Sequence, residues 1–83
     1  MRKELQNESI FGTADLALAA VIFLSHPLEG IDKHNPRKAQ FLFKQNDELD
    51  EVVNGYWRGG LKVEPQAYFN AIRAIKARLY AGE

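Results

Sequence analysis

Eighty-three residues suffice for one domain, just above the size at which disulfides or a metal must hold a core together. The chain has no cysteine, which excludes a disulfide framework, thiolate metal sites and thiol nucleophiles and suits a reducing compartment. Eleven basic and eleven acidic residues give a formal net charge of zero, without the basic excess of a dedicated duplex-DNA binder, while 46% hydrophobic content is that of a globular chain.

In chain order, Met1 to Ser9 is polar and expected to fray, leaving residues 10–83 as a single compact domain. Met1-Arg2-Lys3 is followed by Glu4 and Glu8 before any apolar run. That is not the layout of a signal peptide, and the run itself is too short to span a bilayer. A cytoplasmic location is expected. Ile10-Phe11 can add a short edge strand. Gly12-Thr13 then punctuates, with Thr13 as helix N-cap and Asp15 in the first turn. The first helix should run to about Ser25, where His26-Pro27 stops it, since proline disfavours helical geometry in the residue before it. Its body, Ala14–Leu24, is the most apolar stretch of the chain. At 3.6 residues per turn, Leu16, Ala20 and Phe23 lie on one side, and Leu18, Val21 and Ile22 on the other. Such a helix needs cover on both sides.

From Leu28 to Lys44 the apolar period falls to two. Leu28–Lys33 reads as a weakly started strand, and His34-Asn35-Pro36-Arg37 is turn chemistry. In Ala39–Lys44 the side chains Ala39, Phe41 and Phe43 point one way, and Gln40, Leu42 and Lys44 the other. The resulting hairpin is marginal alone. It needs the first helix against its Phe41/Phe43 face, and Ile10-Phe11 or Leu61-Lys62-Val63 can add a third strand. Asn46 caps a second helix whose first turns carry Asp47, Glu48, Asp50 and Glu51, the sign that favours the helix dipole. Leu49, Val52, Val53 and Tyr56 form its buried stripe, and Arg58-Gly59-Gly60 ends it. Val63-Glu64-Pro65 opens a third helix, with Pro65 at the first helical position and a staple between Val63 and Tyr68. Its core stripe is Tyr68, Ile72, Ile75 and Leu79, and Gly82 should terminate it. The fold class is therefore α+β: helix, β-hairpin, helix, helix. The first helix is central, between a small antiparallel sheet and the two later helices.

Several segments in this order carry a family likeness: Thr13-x-Asp15-Leu16-x-Leu18-Ala19-Ala20 with Leu24, Leu28-x-Gly30-Ile31 and Phe41-x-Phe43. They continue with Leu49 through Tyr56-Trp57, Leu61-x-Val63-x-Pro65-x-Ala67-Tyr68, and Lys76-x-Arg78-Leu79-Tyr80. Over residues 11–80 the chain resembles a family of short bacterial and phage proteins known as a domain of unknown function. The resemblance implies a compact α+β domain and lends no activity, ligand or catalytic residue. His26-Pro27 departs from the flexible polar or glycine-containing turn usual at that point.

Candidate chemistry is sparse. Phe69, Arg73, Lys76 and Tyr80 recur at four, three and four residues along the third helix. Two cations bracketed by aromatics can track phosphates while stacking bases, and Arg58 and Lys62 can extend the patch. A solvated rim beside the core accounts for the same stripe. Trp57 is either an exposed anchor of the kind enriched at binding hot spots or a core residue closing over the third helix. The acidic run Asp47–Glu51 can meet a basic partner, including another copy's third helix, or can simply obey the helix dipole. His26 and His34 lack a ligand pattern, so a metal site would need Asp32 or Glu29 brought in by the fold. Ser9 and Ser25 sit in no nucleophile motif. No phosphate-cradling glycine loop occurs.

No enzyme, cofactor or metal is expected. The expected function is a non-catalytic protein-interaction module, either self-associating or a phage-type accessory or inhibitory factor on a larger host or phage machine. In that reading the opposed acidic and basic helices and any uncovered apolar surface of the first helix supply the interface. The alternative is a small nucleic-acid-binding module using Arg58, Lys62, Phe69, Arg73, Lys76 and Tyr80. No membrane partner is expected.

Overall fold

A computed structural model describes residues 9–35 and 37–81. The polar start at Met1–Ser9 (all but Ser9) and the stop at Gly82 lie outside the described residues. The elements are β1 (Ile10–Thr13), α1 (Leu16–Phe23), β2 (Gly30–Asp32), β3 (Gln40–Lys44), α2 (Asp47–Arg58) and α3 (Pro65–Ala81). The architecture is α+β in the expected order, with β1 added in front.

β3 is the central strand of a three-stranded antiparallel sheet of order β1-β3-β2. Phe43 faces Phe11 across one ladder, and Phe41 lies between Thr13 and Ile31. Ladder bonds continue beyond both edge strands, from Gln45 N–H to Ser9 O and from Glu29 N–H to Leu42 O. Ser9 therefore joins the sheet instead of fraying. Of the two candidate third strands, Ile10-Phe11 is the one formed, extended through Thr13, whereas residues 61–64 are a link outside any strand, with exposed side chains. Local pattern could not choose between the two. β3 needs an antiparallel neighbour on its second edge, and β1 delivers Phe11 to Phe43 there.

The sheet also moves the start of α1. Thr13 is held in the ladder opposite Phe41 and cannot cap. Its Oγ1 instead accepts from Asp15 N–H (3.0 Å). Asp15 is the N-cap, with its carboxylate accepting from Ala17 N–H (3.0 Å) and Leu18 N–H (3.3 Å). At the other end the helix stops at Phe23, two residues short of Ser25. Ser25 and His26 N–H both close on the Ile22 carbonyl in a tightened last turn, as the following Pro27 requires.

α1 packs against β1, α2 and α3. Leu18, Ala19, Ala20, Val21 and Ile22 are all buried, while Leu16 and Phe23 are half-buried. The sheet supplies Phe41 and Phe43 to the core, α2 supplies Leu49, and α3 supplies Ile75. The side of α1 carrying Leu18 and Ile22 is thus the better covered, and α1 has little apolar surface left for a partner. The exposed large apolar side chains are elsewhere, chiefly Ile10, Trp57, Phe69 and Tyr80. Among the described residues no helix is long and apolar enough to cross a membrane.

α2 and α3 follow their capping sequences. Asn46 Oδ1 accepts from Leu49 N–H at 2.7 Å. Gly59 is left-handed (φ 73°), with Gly60 N–H bonded to Gly55 O and Gly59 N–H to Tyr56 O, the paired bonds of a Schellman stop. Glu64 is the N-cap of α3, its carboxylate accepting from Ala67 N–H (2.7 Å) and Gln66 N–H (3.2 Å). Lys33 Nζ donates to the Leu79 carbonyl (2.7 Å), a cation at the negative end of α3 that ties the hairpin to the last helix.

Two tyrosines lock the start of α1 from opposite partners. Tyr56 of α2 donates to Asp15 Oδ2 at 3.5 Å, and Tyr68 of α3 donates to the Ala17 carbonyl at 3.3 Å. Partial burial raises the Tyr56 pKa above its ordinary value of 10.0, and the Asp15 charge and Tyr68 add to the shift. A raised folded-state pKa makes the Tyr56 contribution complete below the unfolded pKa and lost as pH rises through the folded one. Stability is therefore expected to fall in the alkaline range above pH 10. Tyr56→Phe should remove part of that fall, as read by chemical denaturation on either side of the transition. An unchanged alkaline limb in the variant would exclude Tyr56 as its source.

Candidate interaction surface

Phe69, Arg73, Lys76 and Tyr80 share one stripe of α3, opposite the buried Ala71 and Ile75. All four are exposed, Phe69 by 58% and Tyr80 by 62%. They are not flanks of the core. The Arg73 guanidinium carbon stands 5.7 Å from the Phe69 ring centroid, within cation–π range. α3 carries three cations and no acid. The helix is roughly 25 Å long, and its cations, Arg73, Lys76 and Arg78, lie together in its C-terminal half.

Trp57 is 65% exposed and does not close over α3. Its ring meets the Tyr56 ring edge-on at 5.0 Å and 82°. That contact orients the indole while leaving it open to solvent. Lys62 is exposed on the 61–64 link. Arg58, the last residue of α2, lines a groove on that helix.

This groove, about 670 Å³ and open to solvent, has Glu48, Glu51 and Arg58 on its α2 wall and Ser25 and His26 on the wall opposite, with Leu61 beside Gly55. Ser25 Oγ and His26 Nδ1 are hydrogen-bonded at 2.8 Å. The Leu61 side chain lies on Gly55 so closely that a Cβ there would stand 2.9 Å from Leu61 Cδ2. That explains a glycine in the interior of α2, where it costs about 1 kcal/mol relative to alanine. Sequence reasoning missed the groove because its walls come from segments far apart in the chain. Gly55 is the one local signal, since an isolated glycine in a helical pattern often marks a close approach. Nor does the sequence reveal the Tyr56–Asp15 and Tyr68–Ala17 ties, which join residues 41 and 51 positions apart.

The histidines are placed separately. His34 donates through both its backbone N–H and its ring Nδ1 to Asp32 Oδ1, each at 2.9 Å, an Asx turn at the exposed hairpin end. The backbone bond, then the ring bond, hold the Asp32 carboxyl below its ordinary pKa. Among the described residues no three His, Asp or Glu side chains form a group able to hold a metal. Salt bridges are equally scarce there: Asp32–His34 is the one pair within reach, and it is charged only when the imidazole is protonated. The acids of α2 and the cations of α3 thus carry no salt bridge to each other.

Comparison with curated proteins and with solved structures gives no match. The sequence model of one family, described as Domain of unknown function (DUF5659), matches residues 8–81. That stretch holds every element of the fold, from the β1–β3 ladder to the last turn of α3, and the chain belongs to that family.

Proposed function

We propose that this chain is a non-catalytic protein-interaction module that engages its partner through the outer stripe of α3, with Trp57 as a second anchor. The observation that supports this best is the exposure of Trp57, Phe69 and Tyr80 on a fold whose core is already closed. Each of these rings leaves more than half of its surface in water, apolar area whose burial against a partner would be favourable. Tryptophan, tyrosine and arginine are also the types that dominate binding energy at interfaces. In this reading the protein serves as an accessory or inhibitory factor on a larger assembly.

A second reading, a nucleic-acid-binding module, is favoured by one observation. α3 carries cations without acids, and Arg73 stacks on Phe69, the pairing that follows a phosphate backbone and stacks bases.

Site-specific photo-crosslinking separates the two. A photoreactive residue at position 69 or 80 is expected to form protein adducts in the native host, and Arg73→Glu with Lys76→Glu should abolish them. The same probe at the exposed Lys44 of β3 should form none. Equal adducts at Lys44, or none from α3, would reject the proposal. Nucleic-acid adducts, together with a gel shift that weakens steeply with salt, would establish the second reading instead.

A further inference from the structure

The groove on α2 and the stripe on α3 match each other in charge and in spacing. Glu48, Glu51 and Gly55 lie three and four residues apart on α2, and Lys76, Arg73 and Phe69 lie three and four apart on α3. At 1.5 Å per residue the two rows superpose when the helices run antiparallel. Glu48 then falls opposite Lys76, Glu51 opposite Arg73, and Phe69 opposite Gly55. Arg58, the groove's own cation, falls opposite Gln66, so no like charges meet in that register.

From this match we infer that the α2 groove receives α3 of a second copy of this chain, and that the exchange is reciprocal, giving a two-fold dimer. The inference rests on the reading of α3 as a protein-binding stripe and names the partner. Charge supports the choice of occupant: α2 has four carboxylates against one cation, α3 has three cations and no acid, and none of them is salt-bridged within the described residues. The groove volume of about 670 Å³ gives room for aromatic and guanidinium side chains. The exposed part of Leu61 over Gly55 offers the Phe69 ring an apolar seat. With zero net charge two copies meet without overall repulsion. A two-fold axis makes each such helix pair occur twice, so the aromatic anchors count double while the rim charges set register and steer association.

Sedimentation equilibrium over a range of concentrations tests this. The intact chain should be a reversible dimer. E48K/E51K alone and R73E/K76E alone should each lose association by roughly a hundredfold or more, because like charges then face each other at both contacts. All four positions are exposed, and circular dichroism should show both variants folded. Mixed one to one, the two variants should form a heterodimer, since every facing pair is again of opposite sign. A dimer that survives either reversal, or a mixture that stays monomeric, would overturn the inference. A strictly monomeric intact chain would overturn it too, while crosslinks from position 69 or 80 to a foreign protein would still support the interaction reading.

Discussion

Leu18→Ala and Ile22→Ala are each expected to destabilise the domain by about 2–5 kcal/mol, the range for truncating a large buried aliphatic side chain. Both residues are essentially inaccessible to solvent and belong to the core cluster with Phe43, Leu49 and Ile75. Each truncation therefore leaves a cavity walled by the sheet on one side and by α2 and α3 on the other. Leu16→Ala and Phe23→Ala fall on the half-buried side of the helix and should cost distinctly less. A domain of this size has only about 4–12 kcal/mol in total, so the larger losses bring it close to unfolding at room temperature. Urea denaturation of the four variants measures the order directly. Equal losses on the two sides would mean that α1 is covered symmetrically, contrary to the burial described above.

The second large effect is expected at the centre of the sheet. Phe43→Ala should cost about 3–5 kcal/mol. The ring is fully buried and opposite Phe11, so its loss empties the contact between the sheet and α1. Leu42→Ala, one residue away, points to the outer face between Gly12 and Gly30 and is only half-buried. It should cost much less. Thermal unfolding followed by circular dichroism gives both values. A Leu42→Ala loss as large as that of Phe43→Ala would place a covering layer on the outer face, where the described residues supply no helix.

The pair Leu42 and Phe43 also shows how much of the fold is legible in the sequence. Strict alternation in β3, the Asn46 cap, the Gly59 stop and Pro65 at the start of α3 are local devices. Each is decided within four or five residues, and the helix and strand types followed from them. Thr13 was misread because the competing claim on its backbone is a ladder bond to a strand 28 positions later. Which side of α1 is the better covered is not legible in the sequence for a related reason. In a helix apolar all round, periodicity does not say which side meets the better-packed neighbour. Of the proposed site residues, spacing alone placed Phe69, Arg73, Lys76 and Tyr80 on one stripe. Their exposure, and that of Trp57, depended on which face of each helix turned to α1. Arg58, offered as an extension of that stripe, also lines a groove with Glu48 and Glu51, which its proximity in sequence to Lys62 does not reveal.

The sequence by itself determined the α+β class, the element order, the caps of α2 and the charge polarity of α2 and α3, since these depend on side-chain period and on backbone groups satisfied nearby. Only the tertiary structure decided that β1 completes the sheet, that Asp15 starts α1, and that the aromatic stripe of α3 faces solvent. It also formed the acidic groove between α2 and the end of α1. Those outcomes are set by contacts between residues tens of positions apart, where packing against α1 and pairing with β3 override every local preference.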